Sequence, residues 1–427
     1  MRRLVWVFLV VGALVLLPST AHGAGGDPYR SSQWSLDRIG AEAAWRVGDG
    51  SGVTVAVIDS GVDLHHEDLA AQLVPGHDFV DGDDDPQDAY GHGTHVAGIV
   101  AAVAGNGKGI AGVAPGAEVM PIRVLDEHGS GSVENVVAGI RWATAHGAKV
   151  INLSLGEDTQ ALLGPSFSSA LREAWAAGAI PVVAAGNEIL ASSGFSDEPA
   201  MVVTATTRDD TKPTYSSGVG QAQWGIAAPG GELPNLGADG AILSTYWTGA
   251  APNEYAYLAG TSQAAPQVSG ALAILLSTGR FTPTQAVQRL LHTAKDIGAP
   301  GRDTTFGAGR LDLAAATRDI PSPVTTGPAV VTPPAVRSQA ASPTVTVTTS
   351  APPLVPELAP ATTASAPDTP AATRRPSVAL PARPASEHHG DKTVPALVAA
   401  AVLVAVALPL RHDLLATLGW SRRSEVP

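Results

Sequence analysis

Three short segments carry an aspartate, a histidine and a serine at the ends of predicted secondary-structure elements. Asp59 follows an apolar run, His92 lies in the segment Gly-His-Gly-Thr-His, and Ser262 lies in the segment Gly-Thr-Ser-Gln. A serine hydroxyl becomes a good nucleophile when an imidazole takes its proton and a carboxylate holds that imidazole in one tautomer. These residue types predict nucleophilic catalysis by serine. Cysteine chemistry and disulfides are excluded, because the chain contains no cysteine.

The elements around these residues alternate between strand and helix. Apolar runs typical of buried strands cover residues 53–58, 119–124, 150–155, 180–184 and 202–205. Helical patterns cover residues 92–104, 132–146, 165–177, 262–277 and 283–291, with Pro266 expected in the tolerated first turn of its helix. This alternation predicts an α/β fold with a mostly parallel sheet and helices on both faces. Ligand sites of such sheets lie outside the carboxyl ends of the strands, where Asp59 falls.

Both ends of the chain carry apolar runs that predict export and membrane attachment. Two arginines, an apolar run over residues 4–17 and small residues up to Gly23 predict a signal peptide over residues 1–23, with a retained anchor as the alternative. Residues 394–410 are uncharged and mostly apolar, and arginines follow them. We therefore expect a transmembrane helix over residues 393–411 and a cytoplasmic tail over 412–427, with the catalytic part outside the cell. A buried core helix is the alternative for this second run.

The segment before the second run has the composition of a stalk. Nearly half of the chain's 34 prolines lie between residues 321 and 385, where Phe, Trp and Tyr are absent. Such a segment cannot bury enough apolar surface to offset its ordering entropy, so residues 320–392 are predicted to be a disordered linker. Residues 24–319 remain for the globular domain. The net charge of −13, without a cluster of basic residues, argues against nucleic acid as a partner.

The three segments, in the order Asp, His, Ser, resemble the active-site signatures of the subtilisin-like serine proteases, and most of all the thermitase-like branch. The resemblance extends over residues 27–316. It implies a three-layer subtilisin-like fold and a serine endopeptidase acting on peptides and proteins. It also implies that Asp59 orients the imidazole, His92 is the general base and acid, and Ser262 is the nucleophile. Asn187, after the strand at 180–184, matches the family's oxyanion asparagine.

The same resemblance implies a substrate cleft in which an extended peptide adds as a strand. The matching residues are Gly129, Ser130, Gly131, Ser154, Leu155 and Gly156, with Ala184, Ala185 and Gly186 walling the pocket for the residue before the cut. Because these wall residues are small, we expect a roomy apolar pocket. The predicted specificity is broad, with a preference for large apolar or aromatic residues.

An acidic segment just before His92 predicts calcium. Six aspartates lie within residues 78–88, and a dense set of hard oxygen ligands suits Ca²⁺. The resemblance assigns a first structural calcium site to Asp78, Asp81, Asp83, Asp85 and Gln87. It assigns a second to Asp27, Asp68 and Asn106 with the backbone carbonyls of Val103, Lys108 and Ile110. A solvated acidic loop without metal is the alternative.

The chain departs from the family pattern in three respects. The family usually has methionine after the nucleophile and histidine five residues after it, whereas this chain has Gln263 and Gln267. Few residues separate Gly23 from the domain, so no folding prosegment is expected. The leading hypothesis is a membrane-anchored, monomeric extracellular serine endopeptidase. A mycosin-like maturation protease of a secretion system is one alternative, although mycosins usually contain cysteine, and an inactive surface binding module is the other.

Overall fold

The computed structural model describes residues 26–155, 164–188, 194–232 and 240–322, together with the short strand β1 (Leu4–Val5). The rest of the predicted signal peptide, Gly156, and the linker, transmembrane helix and tail beyond residue 322 lie outside the described residues. Among the helices of the described ranges, none is long and apolar enough to cross a membrane.

A parallel sheet of seven strands forms the centre of the domain, in the order β3-β4-β2-β6-β7-β8-β9. Its strands are β2 (Thr54–Asp59), β3 (His77–Asp78), β4 (Glu118–Arg123), β6 (Val150–Leu153), β7 (Ile180–Ala184), β8 (Met201–Thr206) and β9 (Trp224–Pro229). The central strands are buried on both faces, as expected of a parallel sheet covered on both sides. The predicted α/β architecture is therefore confirmed.

Helices cover both faces of this sheet. The helices are α1 (Trp34–Ile39), α2 (Ala41–Ala44), α3 (His92–Ala101), α4 (Val133–Ala145), α5 (Pro165–Ala176), α6 (Thr261–Ser277), α7 (Pro283–Thr293) and α8 (Leu313–Thr317). Along β2, Val55 and Val57 pack into the apolar core that holds α3 and α6, whereas Ala56 and Ile58 pack into the core that holds α4 and α5. The alternation places Asp59 at the end of the strand, on the same side as α3 and α6.

Helix α3 ends three residues before the predicted boundary of 104. Ala102 leaves the helix, and the amide of Val103 donates to the Asp68 carbonyl at 3.0 Å. The chain then forms a loop around Asp68 instead of another helical turn. The sequence reasoning also missed β9 and the antiparallel hairpin of β10 (Ile242–Tyr246) and β11 (Glu254–Leu258), which packs beside α3.

Candidate active site

The histidine and the aspartate are brought together at the carboxyl edge of the sheet. Asp59 ends β2, and His92 is the first residue of α3. The Nδ1–H of His92 donates to both carboxylate oxygens of Asp59, at 2.8 and 3.0 Å, and both side chains are buried. A Cβ on Gly93 would come within 2.0 Å of the Gly61 carbonyl oxygen, so only glycine permits this close approach of helix and strand. The imidazole is thus fixed in the tautomer with Nε2 unprotonated and available as a base.

The electrostatics of this pair raise the pKa of the His92 imidazole. Burial lowers the pKa of His92, but the negative charge of Asp59 and its hydrogen bond outweigh burial, so the pKa lies above the usual 6.5. The Nε2 atom of His92 is buried and has no hydrogen-bond partner among the described residues. It is therefore free to take a proton from a neighbouring hydroxyl.

This raised pKa predicts the acid limb of the pH–rate profile. Because His92 must be neutral to act as a base, kcat/KM should fall as pH drops through a value above 6.5. Replacing Asp59 with asparagine removes the charge that raises the pKa, so the limb should move to lower pH and turnover should fall steeply. Profiles measured on a chromogenic peptide check both effects. Replacing His146, an exposed histidine directly after α4, with glutamine should leave the limb in place; an unmoved limb in Asp59→Asn would contradict the assignment.

A second buried carboxylate, Asp88, holds the start of helix α3. It accepts hydrogen bonds from the amides of Tyr90, Gly91 and Thr94, from the Thr94 hydroxyl, and from the hydroxyl of Ser60, the residue after Asp59. The Ser60 oxygen in turn accepts from the amide of Gly93 at 3.0 Å. Asp88 therefore ties the turn that carries Asp59 to the helix that carries His92. In the sequence Asp88 stands out only as a member of the acidic segment, and its position four residues before His92 is the signal that could have identified it.

The predicted nucleophile lies at the start of α6, where its carbonyl is held by the sheet instead of the helix. Pro266 lies in the second turn of α6, not in the first turn as expected, and has no N–H to donate to the carbonyl of Ser262. The hydroxyl of Ser154 donates to that carbonyl at 2.9 Å, and the Ser262 hydroxyl donates to the Ser154 carbonyl at 3.4 Å. Since Ser154 follows β6, the neighbour of β2, Ser262 is held one strand away from Asp59.

A buried polar chain extends this contact below the nucleophile. The Asn152 amide donates to the Ser154 hydroxyl at 2.9 Å, and the Ser269 hydroxyl of α6 donates to the Asn152 side-chain oxygen at 2.8 Å. Strand β6 and helix α6 are therefore linked at two levels by fully buried groups, which fixes the height of Ser262 above the sheet.

Asn187 is oriented by the residue that precedes the nucleophile. Its side-chain oxygen accepts hydrogen bonds from the amide and from the hydroxyl of Thr261, both at 3.0 Å. Because the oxygen is engaged, the Nδ2 donors of Asn187 face away from Thr261. A Cβ built on Gly260 would lie 3.5 Å from this Nδ2 and 3.6 Å from the amide nitrogen of Ser262. Two donors thus converge on one small space, as stabilisation of an oxyanion requires.

The predicted substrate edge carries an extended segment in this structure. Gly131 and Ser132 form strand β5, which pairs antiparallel with Leu4 and Val5 of β1. Gly129 has φ +69° and Ser130 is buried. The backbone of this edge is therefore able to accept an added strand.

The predicted pocket walls lie largely inside the two cores. Ala184 packs on the α3 and α6 side, whereas Ala185 and Leu155 pack on the α4 and α5 side. Gly186 has φ +103°, and its amide donates to the Thr261 hydroxyl. These side chains are therefore already packed within the cores, and the pocket for the residue before the cut stays a prediction.

The first predicted calcium loop includes an ion pair with an arginine. Asp78 lies opposite Arg123 in the β3–β4 register, and one guanidinium nitrogen of Arg123 contacts Asp78 and Asp81, each at 2.6 Å. The side-chain oxygen of Gln87 accepts from the amide of Leu64. Asp83 and Asp85 are exposed. Arg123 therefore supplies one positive charge to a segment of six aspartates. The calcium assignment of this loop stays a prediction.

The second predicted calcium site has oxygen atoms left for a cation. Asp27 has one buried carboxylate oxygen without a hydrogen-bond partner among the described residues. Asp68 is fully buried and accepts from the Asn106 amide at 2.7 Å and from the amide of Ile110 at 2.8 Å. Burial and the nearby charge of Asp27 raise the pKa of Asp68 to about 6, although its hydrogen bonds lower it. Lys108 pairs with Glu67 instead of these carboxylates.

Val103, Asn106 and Lys108, which are also predicted ligands of the second site, lie in the loop after α3. The amide of Val103 donates to the carbonyl of Asp68, and the amide of Lys108 donates to the side-chain oxygen of Asn106. Two adjacent carboxylates with an unused oxygen suit a hard cation. In the described ranges, no three carboxylate or imidazole groups gather as a metal cluster, so backbone and amide oxygens would have to complete the shell.

Comparisons with known proteins identify the class. Residues 50–309 match the subtilase family, peptidase family S8. The chain is 40% identical over 290 residues to thermitase of Thermoactinomyces vulgaris, covering 67% of this chain and 96% of thermitase. It is 35% identical over 294 residues to subtilisin Savinase of Lederbergia lenta, covering 68% of this chain and all of the relative. A solved protease structure from Pseudoalteromonas arctica PAMC 21717 superimposes with a TM-score of 0.62 at 32% identity, covering 69% of this chain and 99% of the other.

A parallel sheet with a buried aspartate–histidine pair at its carboxyl edge and a serine at a helix start defines a serine hydrolase site. The chain belongs to the subtilase family and is a serine endopeptidase.

Proposed function

We propose that the chain hydrolyses peptide bonds through Asp59, His92 and Ser262, by way of an acyl-enzyme. The buried contact of His92 with both oxygens of Asp59, with Nε2 left free, is the observation that carries this assignment. Ser262 Oγ attacks the peptide carbonyl carbon while its proton passes to His92 Nε2. The carbonyl π electrons move to the oxygen, which Asn187 and the Ser262 amide stabilise.

The second half of the cycle reverses these proton transfers. The imidazolium gives its proton to the leaving amine as the C–N bond breaks, and the acyl group stays on Ser262. Water then attacks the acyl carbon, giving a proton to Nε2, and the C–O bond to Ser262 breaks as the imidazolium returns that proton to Ser262 Oγ. Asp59 keeps its negative charge and stabilises the imidazolium in both halves.

Covalent labelling tests this assignment directly. The full-length protein is treated with phenylmethylsulfonyl fluoride, and the modified residue is mapped by peptide mass spectrometry. A single adduct on Ser262 with parallel loss of activity is the expected result. An adduct elsewhere, with Ser262 unmodified in the inactivated protein, would overturn the mechanism.

We further propose export, membrane attachment and a broad preference for large apolar or aromatic residues before the cut. The apolar runs at residues 4–17 and 394–410 support export and attachment, and the small residues Ala184 and Ala185 support the preference. Release of activity from membranes by truncation after residue 392 checks the anchor. A strict requirement for a basic residue in a peptide library would reject the pocket assignment.

The structural cation is proposed at the second site, held by Asp27, Asp68 and Asn106. A bound Ca²⁺ would neutralise the two adjacent carboxylates and close the loop between α3 and β4. At a free concentration about 100 times its Kd, a ligand adds about 2.7 kcal/mol to the free energy of unfolding. At about 2 to 4 °C per kcal/mol, removal by chelator should therefore lower Tm by about 5 to 10 °C.

Paired variants distinguish the two loops. Asp27→Asn should abolish the chelator effect on Tm, whereas Asp85→Asn in the first loop should preserve it. An effect that survives Asp27→Asn and disappears in Asp85→Asn would assign the cation to the first loop instead. If neither calcium nor chelator changed the Tm of the unmodified protein, the proposal of a structural cation would be wrong.

A further inference from the structure

Helix α6 buries a glutamine with an unsatisfied side chain directly after the nucleophile. Gln263 is 1% exposed, and neither its Oε1 nor its Nε2 has a hydrogen-bond partner among the described residues. Leaving a buried polar group unpaired lowers stability, so an unpaired carboxamide at this position needs a reason. Gln267, one helical turn further along, differs because its amide donates to the Pro229 carbonyl.

The Gln263 carboxamide reaches the space between the two predicted oxyanion donors. The point that a Cβ on Gly260 would occupy lies 2.9 Å from Gln263 Oε1, 3.5 Å from Asn187 Nδ2 and 3.6 Å from the amide nitrogen of Ser262. One end of the Gln263 carboxamide therefore faces the same small space as both donors. A carboxamide is the one neutral side-chain group that offers both an acceptor and a two-hydrogen donor at this reach.

Because neither carboxamide atom of Gln263 is hydrogen-bonded to a described residue, the carboxamide can turn. Rotation about the last side-chain bond exchanges Oε1 and Nε2, and no partner among the described residues favours either orientation. As Ser262 Oγ bonds to the carbonyl carbon, the substrate oxygen gains negative charge in this space. The orientation with Nε2 inward then donates a hydrogen bond to that charge, which a thioether at this position cannot do.

We propose that Gln263 is a third hydrogen-bond donor to the oxyanion. This inference rests on the proposed function, because Asn187 and Ser262 define where the oxyanion forms. Among the described residues the carboxamide has no partner, and its hydrogen bond to the oxyanion is made as the tetrahedral intermediate forms. An interaction of this kind lowers the barrier without strengthening the binding of the ground state.

Two replacements in the full-length protein test the proposal. Gln263→Met removes the donor at similar length, and Gln263→Glu replaces it with a group that carries negative charge. A hydrogen bond to a charged group contributes about 1.5 to 3 kcal/mol, which converts to about a 10- to 100-fold loss of kcat for Gln263→Met with KM nearly unchanged. Gln263→Glu should lose more. Gln267→Met, the matched buried glutamine, should keep kcat within about twofold.

Inhibitor binding separates a donor from a packing residue. A peptide aldehyde that forms a tetrahedral adduct with Ser262 should bind more weakly to Gln263→Met by the same factor as kcat falls, whereas a non-covalent product peptide should bind equally well. All rates are divided by the fraction of Ser262 that labels covalently, so partial misfolding cannot imitate the effect. Equal kcat and equal aldehyde affinity in Gln263→Met would overturn the proposal, and so would a parallel loss of product-peptide binding. Retained activity in Ser262→Ala would instead overturn the proposed function.

Discussion

Ser262→Ala is expected to lower kcat on the order of 10⁶-fold, the magnitude that the same replacement causes in subtilisin. The hydroxyl is the atom that forms the acyl bond, so no neighbouring group can substitute for it. His92→Ala should cause a similar loss, because the hydroxyl is then no longer deprotonated. Combining both replacements should cost little more than either alone, since the two side chains act as one unit. Hydrolysis of a chromogenic peptide by the purified full-length protein measures the effect.

A serine at the other end of the same helix provides the control. Ser277 is the last residue of α6, where its hydroxyl donates to the Ile274 carbonyl. Ser277→Ala should therefore keep kcat within about twofold and lose only a little stability. Comparable activity in Ser262→Ala and Ser277→Ala, after exclusion of a contaminating protease, would be incompatible with the catalytic assignment.

Asn187→Leu should lower kcat on the order of 10²- to 10³-fold with little change in KM; this magnitude also comes from subtilisin. Leucine has a similar shape but cannot donate, so the loss isolates the hydrogen bond to the oxyanion. The two bonds from Thr261 hold the Asn187 oxygen and thereby direct its Nδ2 donors, which means that the geometry exists before substrate binds. An interaction arranged in advance acts on the barrier instead of on binding.

Covalent labelling checks this second effect. Asn187→Leu retains Ser262 and His92, so a serine-directed reagent should still modify Ser262, although more slowly. A rise in KM with unchanged kcat would instead place Asn187 in the binding of the ground state.

The sequence was sufficient for residues whose position follows from strand ends and helix starts. Asp59, His92 and Ser262 each lie at such a boundary, and their segments are distinctive. The role of Asp88 was not predictable, because its five hydrogen bonds depend on how the helix start folds back against the turn after β2. Arg123 was missed for the same reason. Its contact with Asp78 depends on the register of β3 against β4, which the acidic segment alone does not reveal.

The position of Pro266 within α6 was also predicted wrongly from the neighbouring residues. The sequence suggested the first turn of α6, where a missing N–H costs nothing, but Pro266 is the sixth residue of the helix and lies in its second turn. The unpaired carbonyl is satisfied by Ser154 from a different strand. A long-range hydrogen bond of this kind cannot be derived from the residues around Ser262.

Gln263 also determines how the reaction centre meets oxidants. Oxidants such as peroxide act on thiolates and exposed thioethers. The chain has no cysteine and three methionines. The two in the described ranges, Met120 and Met201, are 4% and 0% exposed inside the cores. Because Gln263 lies beside Ser262, the residues described around the reaction centre offer peroxide no accessible sulfur. Oxidation of Met120 or Met201 would therefore require the fold to open first.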